Sequence, residues 1–206
     1  MTVAGLVRTA VQDATTALVT ADLTIAERVI SGDARIDELT KEIEQRSFQL
    51  LARQAPVAGE LRTVVAVLRM SYSLDRMGDL AAHIAKIARL RYPEVAAPEP
   101  VADQIKQMAE TADSMIATAI TTLENRDAEA AAGLATADSK MDELRSDQFH
   151  LLLSDDWEYG VEKAVDTALL GRYYERIADH AVAMGARTIY IVTGEAPEGE
   201  NWPSSF

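Results

Sequence analysis

The chain contains no cysteine. Disulfides, zinc–thiolate sites, cysteine-ligated iron–sulfur clusters and thiol catalysis are therefore excluded. Glycine and proline are scarce, at 10 and 6 of 206 residues, and the aromatics are two tryptophans, six tyrosines and three phenylalanines. Few turn formers and few rings disfavour a sheet. No run approaches the ~18 apolar residues that a membrane helix needs. The N-terminus also lacks a charged region followed by an apolar stretch, so no targeting segment is read. Bases are in deficit, with 20 Lys and Arg against 33 Asp and Glu, for a net charge of −13. That balance argues against direct nucleic-acid binding, which needs Lys and Arg to replace phosphate counterions. Simple charge attraction to anionic membrane is disfavoured for the same reason. The expectation is a soluble intracellular protein of one large domain or two small ones, long enough to bury a core unaided.

What the chain does have is alanine and helical periodicity. Ile25, Val29, Ile36, Ile43 and Leu50 recur at four- and seven-residue intervals. Val67, Met70, Leu74, Met77, Ala81 and Ile84 recur at three and four. These are helical stripes rather than strand alternation. Punctuation predicts six helices, over about 2–19, 22–53, 56–92, 101–124 and 127–153, with a long sixth that ends near Gly194. Asp22 and Asp127 are the expected N-caps, and Gly194 the expected C-cap. Ala96-Ala97-Pro98-Glu99-Pro100 reads as the clearest linker.

The six helices are three helices written twice. A shift of 105 carries Asp22, Ala26, Asp33, Asp37, Glu38 and Leu39 onto Asp127, Ala131, Asp138, Asp142, Glu143 and Leu144. A shift of 100 carries Val65, Arg76, Asp79 and Ala81 onto Val165, Arg176, Asp179 and Ala181, and sets Asp75 against Glu175. A period near 100 is a domain duplication rather than a solenoid repeat. The expected fold is all-α: two tandem antiparallel three-helix bundles, 1–95 and 101–194, with a flexible tail over 195–206. The second copy's opening helix maps to a point before residue 1, so the first helix is expected to lack an N-terminal turn that its twin has. Charge divides unevenly, at −1 for residues 1–100 and −12 for 101–206. This suggests that the halves diverged for different partners, with the first better able to approach an acidic one. Arg62, Arg69 and Arg172 are arginines that such a partner could meet.

The candidate chemistry lies in acids four apart on one helix face: Asp33/Asp37, Asp75/Asp79, Asp138/Asp142 and Glu175/Asp179. Any one pair is accounted for by a solvated face with arginine neighbours. Yet like charges at this spacing cost a helix ~0.2–0.5 kcal/mol, and these recur at matching places in both repeats. If the second and third helices turn near residue 55, Asp33 and Asp37 face residues 77 and 73, the level of Asp75 and Asp79. A turn near 156 sets Asp138 opposite residue 174 and leaves Asp142 about a turn away. Carboxylates converging from two helices call for a cation. An oxygen-rich, thiolate-free set suits Mg2+, Mn2+ or Ca2+, and iron where a nitrogen ligand joins. His83 continues the Asp75–Asp79 stripe and is the better nitrogen candidate; His180 points about 100° away from Asp179.

Leu74-Asp75-Arg76-Met77-Gly78-Asp79-Leu80 and Tyr174-Glu175-Arg176-Ile177-Ala178-Asp179-His180-Ala181 resemble the paired E/D-x-x-x-D motifs of the PhoU family of bacterial phosphate-signalling regulators. Gln54-Ala55-Pro56-Val57-Ala58, with Leu61-Arg62, and Asp33-Ala34-Arg35-Ile36-Asp37 are also similar to it. Gly78-Asp79-Leu80, with Ala85-Lys86-Ile87-Ala88-Arg89, looks like an actinobacterial form. The resemblance implies a cytoplasmic, non-enzymatic adaptor, peripheral to the inner face of the membrane through its partners. Such proteins link the ATPase subunit of a phosphate ABC transporter to a sensor histidine kinase and repress the phosphate-starvation response. It implies a homodimer and a bound divalent or transition metal ion, whether iron, manganese, magnesium or zinc. Asp75, Asp79, Glu175 and Asp179 carry over as metal residues most securely, and Asp33, Asp37, Asp138 and Asp142 less so. Many members have Asn four residues after the last motif acid, whereas this chain has His83 and Ala183, so its two sites are expected to differ.

Two other functions compete for these residues. A carboxylate-bridged di-metal oxidase needs Glu-x-x-His on two helices, and no such motif occurs. A histidine phosphotransfer bundle would use His83 with Lys86, a single spacing that an ordinary helix surface explains equally well.

Overall fold

A computed structural model describes residues 2–195, all but the side chain of Pro100; beyond Glu195 the expected tail lies outside the described residues. Six helices form: α1 (Val3–Thr20), α2 (Leu23–Gln54), α3 (Ala58–Arg91), α4 (Glu99–Asn125), α5 (Ala128–Leu152) and α6 (Gly160–Thr193). Among the described residues there is no strand. The caps recur with the repeat. Asp22 accepts from the Ile25 N–H and Asp127 from the Ala130 N–H, each at 2.9 Å. Both satisfy an orphan amide of the first turn. Gly194 ends α6 with φ at +81°, the left-handed geometry that glycine adopts without strain.

The linker expectation needs correcting. Glu99 and Pro100 belong to α4, because proline is tolerated in the first turn, where its missing N–H has no partner to lose. Ala96 and Ala97 are buried, so the connection packs against the bundles.

Helices α2, α3, α6 and α5 lie side by side in that order, with α1 and α4 behind them. Within each repeat all three helices touch, and the repeats meet through α3–α6 and α1–α4. One apolar core runs through both, from Val7, Leu18, Met77 and Ile84 to Met108, Leu134, Met141 and Ile177. Each such side chain stabilises the fold by roughly 1.5–3 kcal/mol on burial. Small buried residues (Ala14, Ala81, Ala85, Ala112, Ala178, Ala181) let the helix axes approach closely.

The contacts between repeats disclose their symmetry. Arg8 and Asp113 hold equivalent positions, and they meet each other in a bidentate pair at 2.7 and 2.8 Å. Contact between equivalent residues places an approximate twofold axis between α1 and α4. Two further ties are asymmetric. The Tyr174 hydroxyl, buried in α6, pairs with Thr15 Oγ1 of α1 at 2.8 Å. Arg91, at the end of α3, holds Asp166 of α6 at 2.5 and 3.2 Å and also contacts Glu162.

Candidate metal centre

Each repeat brings its four motif acids to the seam between its second and third helices. In the first repeat this depends on Gly78. A side chain there would meet Asp33 Oδ1 and Ile36 at 3.1–3.2 Å, so its absence lets α2 settle with Asp33 over α3. Asp33 is then half-buried, and burial pushes its carboxyl above the usual range, with Asp79, Asp37 and Asp75 adding repulsion against the pull of Lys86. Asp75 is raised by burial as well, despite a 3.1 Å hydrogen bond donated by Thr40 Oγ1. Asp75 and Asp37 face each other across the seam, and each acts on the other's carboxyl. Asp37, which accepts from Lys41 Nζ at 2.8 Å, is lowered. Asp79 pairs with Arg76 at 2.7 Å on the exposed rim.

The second repeat reproduces the pattern in part. Burial raises Asp138, with repulsion from Asp179, Asp142 and Glu175. Asp179 pairs with Arg176 at 3.0 Å, as Asp79 does with Arg76. Glu175 is held by Arg172 at 2.6 Å and by Arg145 at 3.3 Å.

The register of this second seam corrects the expectation that Asp138 faces residue 174. Leu134 and Ala131 pack on Gly185, and Gln148 packs on Gly171. Between those anchors Asp138 lies nearest Asp179, and Asp142 falls level with the Glu175–Asp179 segment. The reason is the connection, which folds through Trp157 N to Ser154 O and Trp157 Nε1 to Gly160 O before α6 begins. The chain thus pivots at Gly160 rather than near 156.

His83 finds a neighbour that the sequence did not suggest: its exposed ring lies 5.4 Å from Tyr173 of α6. His180 is half-buried edge-on to Tyr72, whose ring also carries Arg76 at 5.4 Å. Burial, then Arg176 and Arg76, lower the His180 pKa against the pull of Asp179. Arg145 is the site residue that sequence reasoning missed. The signal was present, since a shift of 105 sets it opposite Thr40, a place where the repeats differ rather than match.

The donor set fits a hard cation: four carboxylates per seam, of which Asp33 and Asp138 accept no hydrogen bond among the described residues. Among the described residues, no group of three His, Asp or Glu side chains already stands arranged to hold an ion. In this conformation the motif carboxylates instead face lysine and arginine partners, most of them exposed.

Comparison with known proteins decides the family. The PhoU domain model matches twice, over residues 1–88 and 105–188. The chain belongs to the PhoU family. It is similar to phosphate-specific transport system accessory protein PhoU homolog 1 of Mycobacterium leprae, at 43% identity over 98% of this chain and 90% of that one. PhoU homolog 2 of Mycobacterium tuberculosis is 44% identical over 94% and 91%. Among solved structures, PhoU from Pseudomonas aeruginosa superposes with a TM-score of 0.88 at 27% identity, covering 94% of this chain and 93% of that one. The phosphate transport system regulatory protein PhoU from Streptococcus pneumoniae gives 0.84 at 27%, over 94% and 91%. The family's all-α architecture is thus this chain's, and its regulatory role in phosphate transport accords with the names of these relatives. No helix among the described residues is long and apolar enough to cross a membrane.

Proposed function

We propose that this chain is a non-enzymatic, cytoplasmic adaptor that represses the phosphate-starvation response when phosphate is plentiful. It would couple the ATPase subunit of a phosphate ABC transporter to a sensor histidine kinase, and act as a homodimer. The observation that carries this reading is the full-length, twofold match to accessory proteins of phosphate transport. The net charge of −13 and the absence of an apolar spanning helix among the described residues agree with partners that are proteins rather than nucleic acid or lipid.

The metal part of the reading rests on the acid seams. Asp33, Asp37, Asp75 and Asp79 would hold an ion between α2 and α3, and Asp138, Asp142, Glu175 and Asp179 between α5 and α6. A bound divalent ion neutralises carboxylates that otherwise repel one another and cross-links the two helices that carry them. Arg76 and Arg176 are 46% and 47% exposed, so swinging them aside costs little.

Deletion of the gene is expected to derepress phosphate-uptake genes in phosphate-rich medium, read by transcript level. Normal repression without the chain would contradict the regulator role. For the adaptor role, co-purification of kinase and transporter ATPase with the tagged full chain is the direct readout.

A further inference from the structure

We infer that Arg145 is a built-in cation standing in for metal in the second seam, so that the two repeats no longer bind metal alike and the first seam holds it tightly. The inference rests on the metal reading proposed above and departs from it by making the two seams unequal.

Equivalent positions carry the argument. Where the first repeat has Thr40, the second has Arg145; where the first has Tyr72, the second has Arg172. Thr40 is neutral, and the cation beside Asp75, Arg76 at 3.6 Å, is exposed and free to swing aside, so Asp75 can exchange its hydrogen bond from Thr40 for a metal ion. Arg145 is permanently charged, because a guanidinium does not lose its proton in a protein. With Arg172 it occupies both oxygens of Glu175, one each.

Arg145 is also anchored, unlike the rim arginines. Its side chain is only 12% exposed. Nε donates to Glu175 Oε2, Nη1 donates to Gln148 Oε1 at 2.7 Å, and the guanidinium lies 3.9 Å from the centre of the Phe149 ring. Gln148 is fully buried, and among the described residues its amide meets a partner only through Oε1, on the arginine, while Nε2 has none. Gln148 fits there because residue 171 is glycine; a Cβ would lie 1.9 Å from Gln148 Oε1. The first repeat has Ile43 and Ser71 at these two positions and cannot build the same cradle. Pulling Arg145 away would strip a buried charge of its partners, a far larger penalty than moving an exposed one.

The first seam is open by contrast. A groove of about 270 Å³, lined by Asp37, Thr40, Phe48, Ser71, Tyr72 and Asp75 among others, leads to two of its acids. Its cations, Lys41 and Arg76, are 64% and 46% exposed.

Titration of the purified full chain with Mn2+, with free ion read by electron paramagnetic resonance, tests this. The wild type is expected to show a single tight class, at least about tenfold tighter than any further binding. That class should disappear in Asp75→Asn with Asp79→Asn and persist in Glu175→Gln with Asp179→Asn. Arg145→Thr should gain a second tight class, and Thr40→Arg, for which the groove has room, should weaken the first. Two equal tight classes in the wild type, or loss of tight binding only with the Glu175 and Asp179 variant, would overturn the inference while leaving the metal reading intact. Absence of tight binding in both wild type and Arg145→Thr would overturn the metal reading and the inference together. Should Arg145→Thr fail to fold, as judged by circular dichroism, the two acid variants decide the matter alone.

Discussion

The two repeats are alike where they pack and unlike where they are charged. Met77 and Ile177, Ala81 and Ala181, and the caps Asp22 and Asp127 hold equivalent places with equivalent burial or bonding. The rim pairs Arg76–Asp79 and Arg176–Asp179 match as well. Beyond these, Thr40 is answered by Arg145, Arg91 by Ile191, and Asp166 by Ala66. Duplication copied the apolar pattern that folding requires, and divergence was tolerated where only charge and partners were at stake. The difference shows which positions the fold constrains and which were free to specialise.

The largest effect is expected where that asymmetry is buried. Asp166 is 6% exposed, so Arg91→Ala leaves a buried carboxylate unpaired and should lower stability by about 3 kcal/mol. Arg91→Ile combined with Asp166→Ala makes this contact resemble its counterpart and should recover most of the loss. Urea denaturation at pH 7 measures both, and a double variant no better than the single would show that the pair does more than satisfy itself.

A smaller effect tests packing. Gly185→Ala sets a methyl 2.7 Å from Leu134 Cδ1 and 3.0 Å from the Ala131 carbonyl, and should cost about 1 kcal/mol. The first repeat already has alanine at the equivalent residue 85, fully buried. Equal tolerance of alanine at both positions would mean that the two seams are spaced alike.

The metal-free seams should also reveal themselves by pH. Asp33, Asp75 and Asp138 are raised, so the folded state binds their protons more tightly than the unfolded chain does. Their ionisation destabilises the fold at neutral pH. That loss is relieved as pH falls through their raised folded values toward the ordinary carboxylate range. Asp37, which is lowered, works in the opposite sense. Asp33→Asn and Asp138→Asn should each raise the melting temperature of metal-free protein at pH 7, by about 2 °C, and flatten its dependence on pH. A drop in melting temperature would show that these carboxylates serve the fold. Smallest of all, Gly32→Ala in α2 and Gly133→Ala in α5, at exposed helical positions with open space around them, should each add about 0.5 kcal/mol. Unequal gains would mark a difference in local helix stability between the repeats.

Most of the fold was legible because it depends on local chemistry. Apolar period, two aspartate caps and Gly194 set the helix bounds to within a few residues. The duplication also marks the acids that line the two seams. Two things escaped. The register of α5 against α6 depends on how 153–159 coil before Gly160, and loop conformation is not encoded in helical periodicity. The role of Arg145 depends on three residues scattered over two helices, Arg145, Gln148 and Gly171, which come together only once α5 and α6 are docked.

The central claim is that one duplicated site became two unequal ones. Crystals of the full chain grown with Mn2+ and measured by anomalous diffraction test it most directly. Strong anomalous density among Asp33, Asp37, Asp75 and Asp79, with weak or no density where Arg145 meets Glu175, is the predicted result. Equal density at both seams, or density at the second alone, would contradict it.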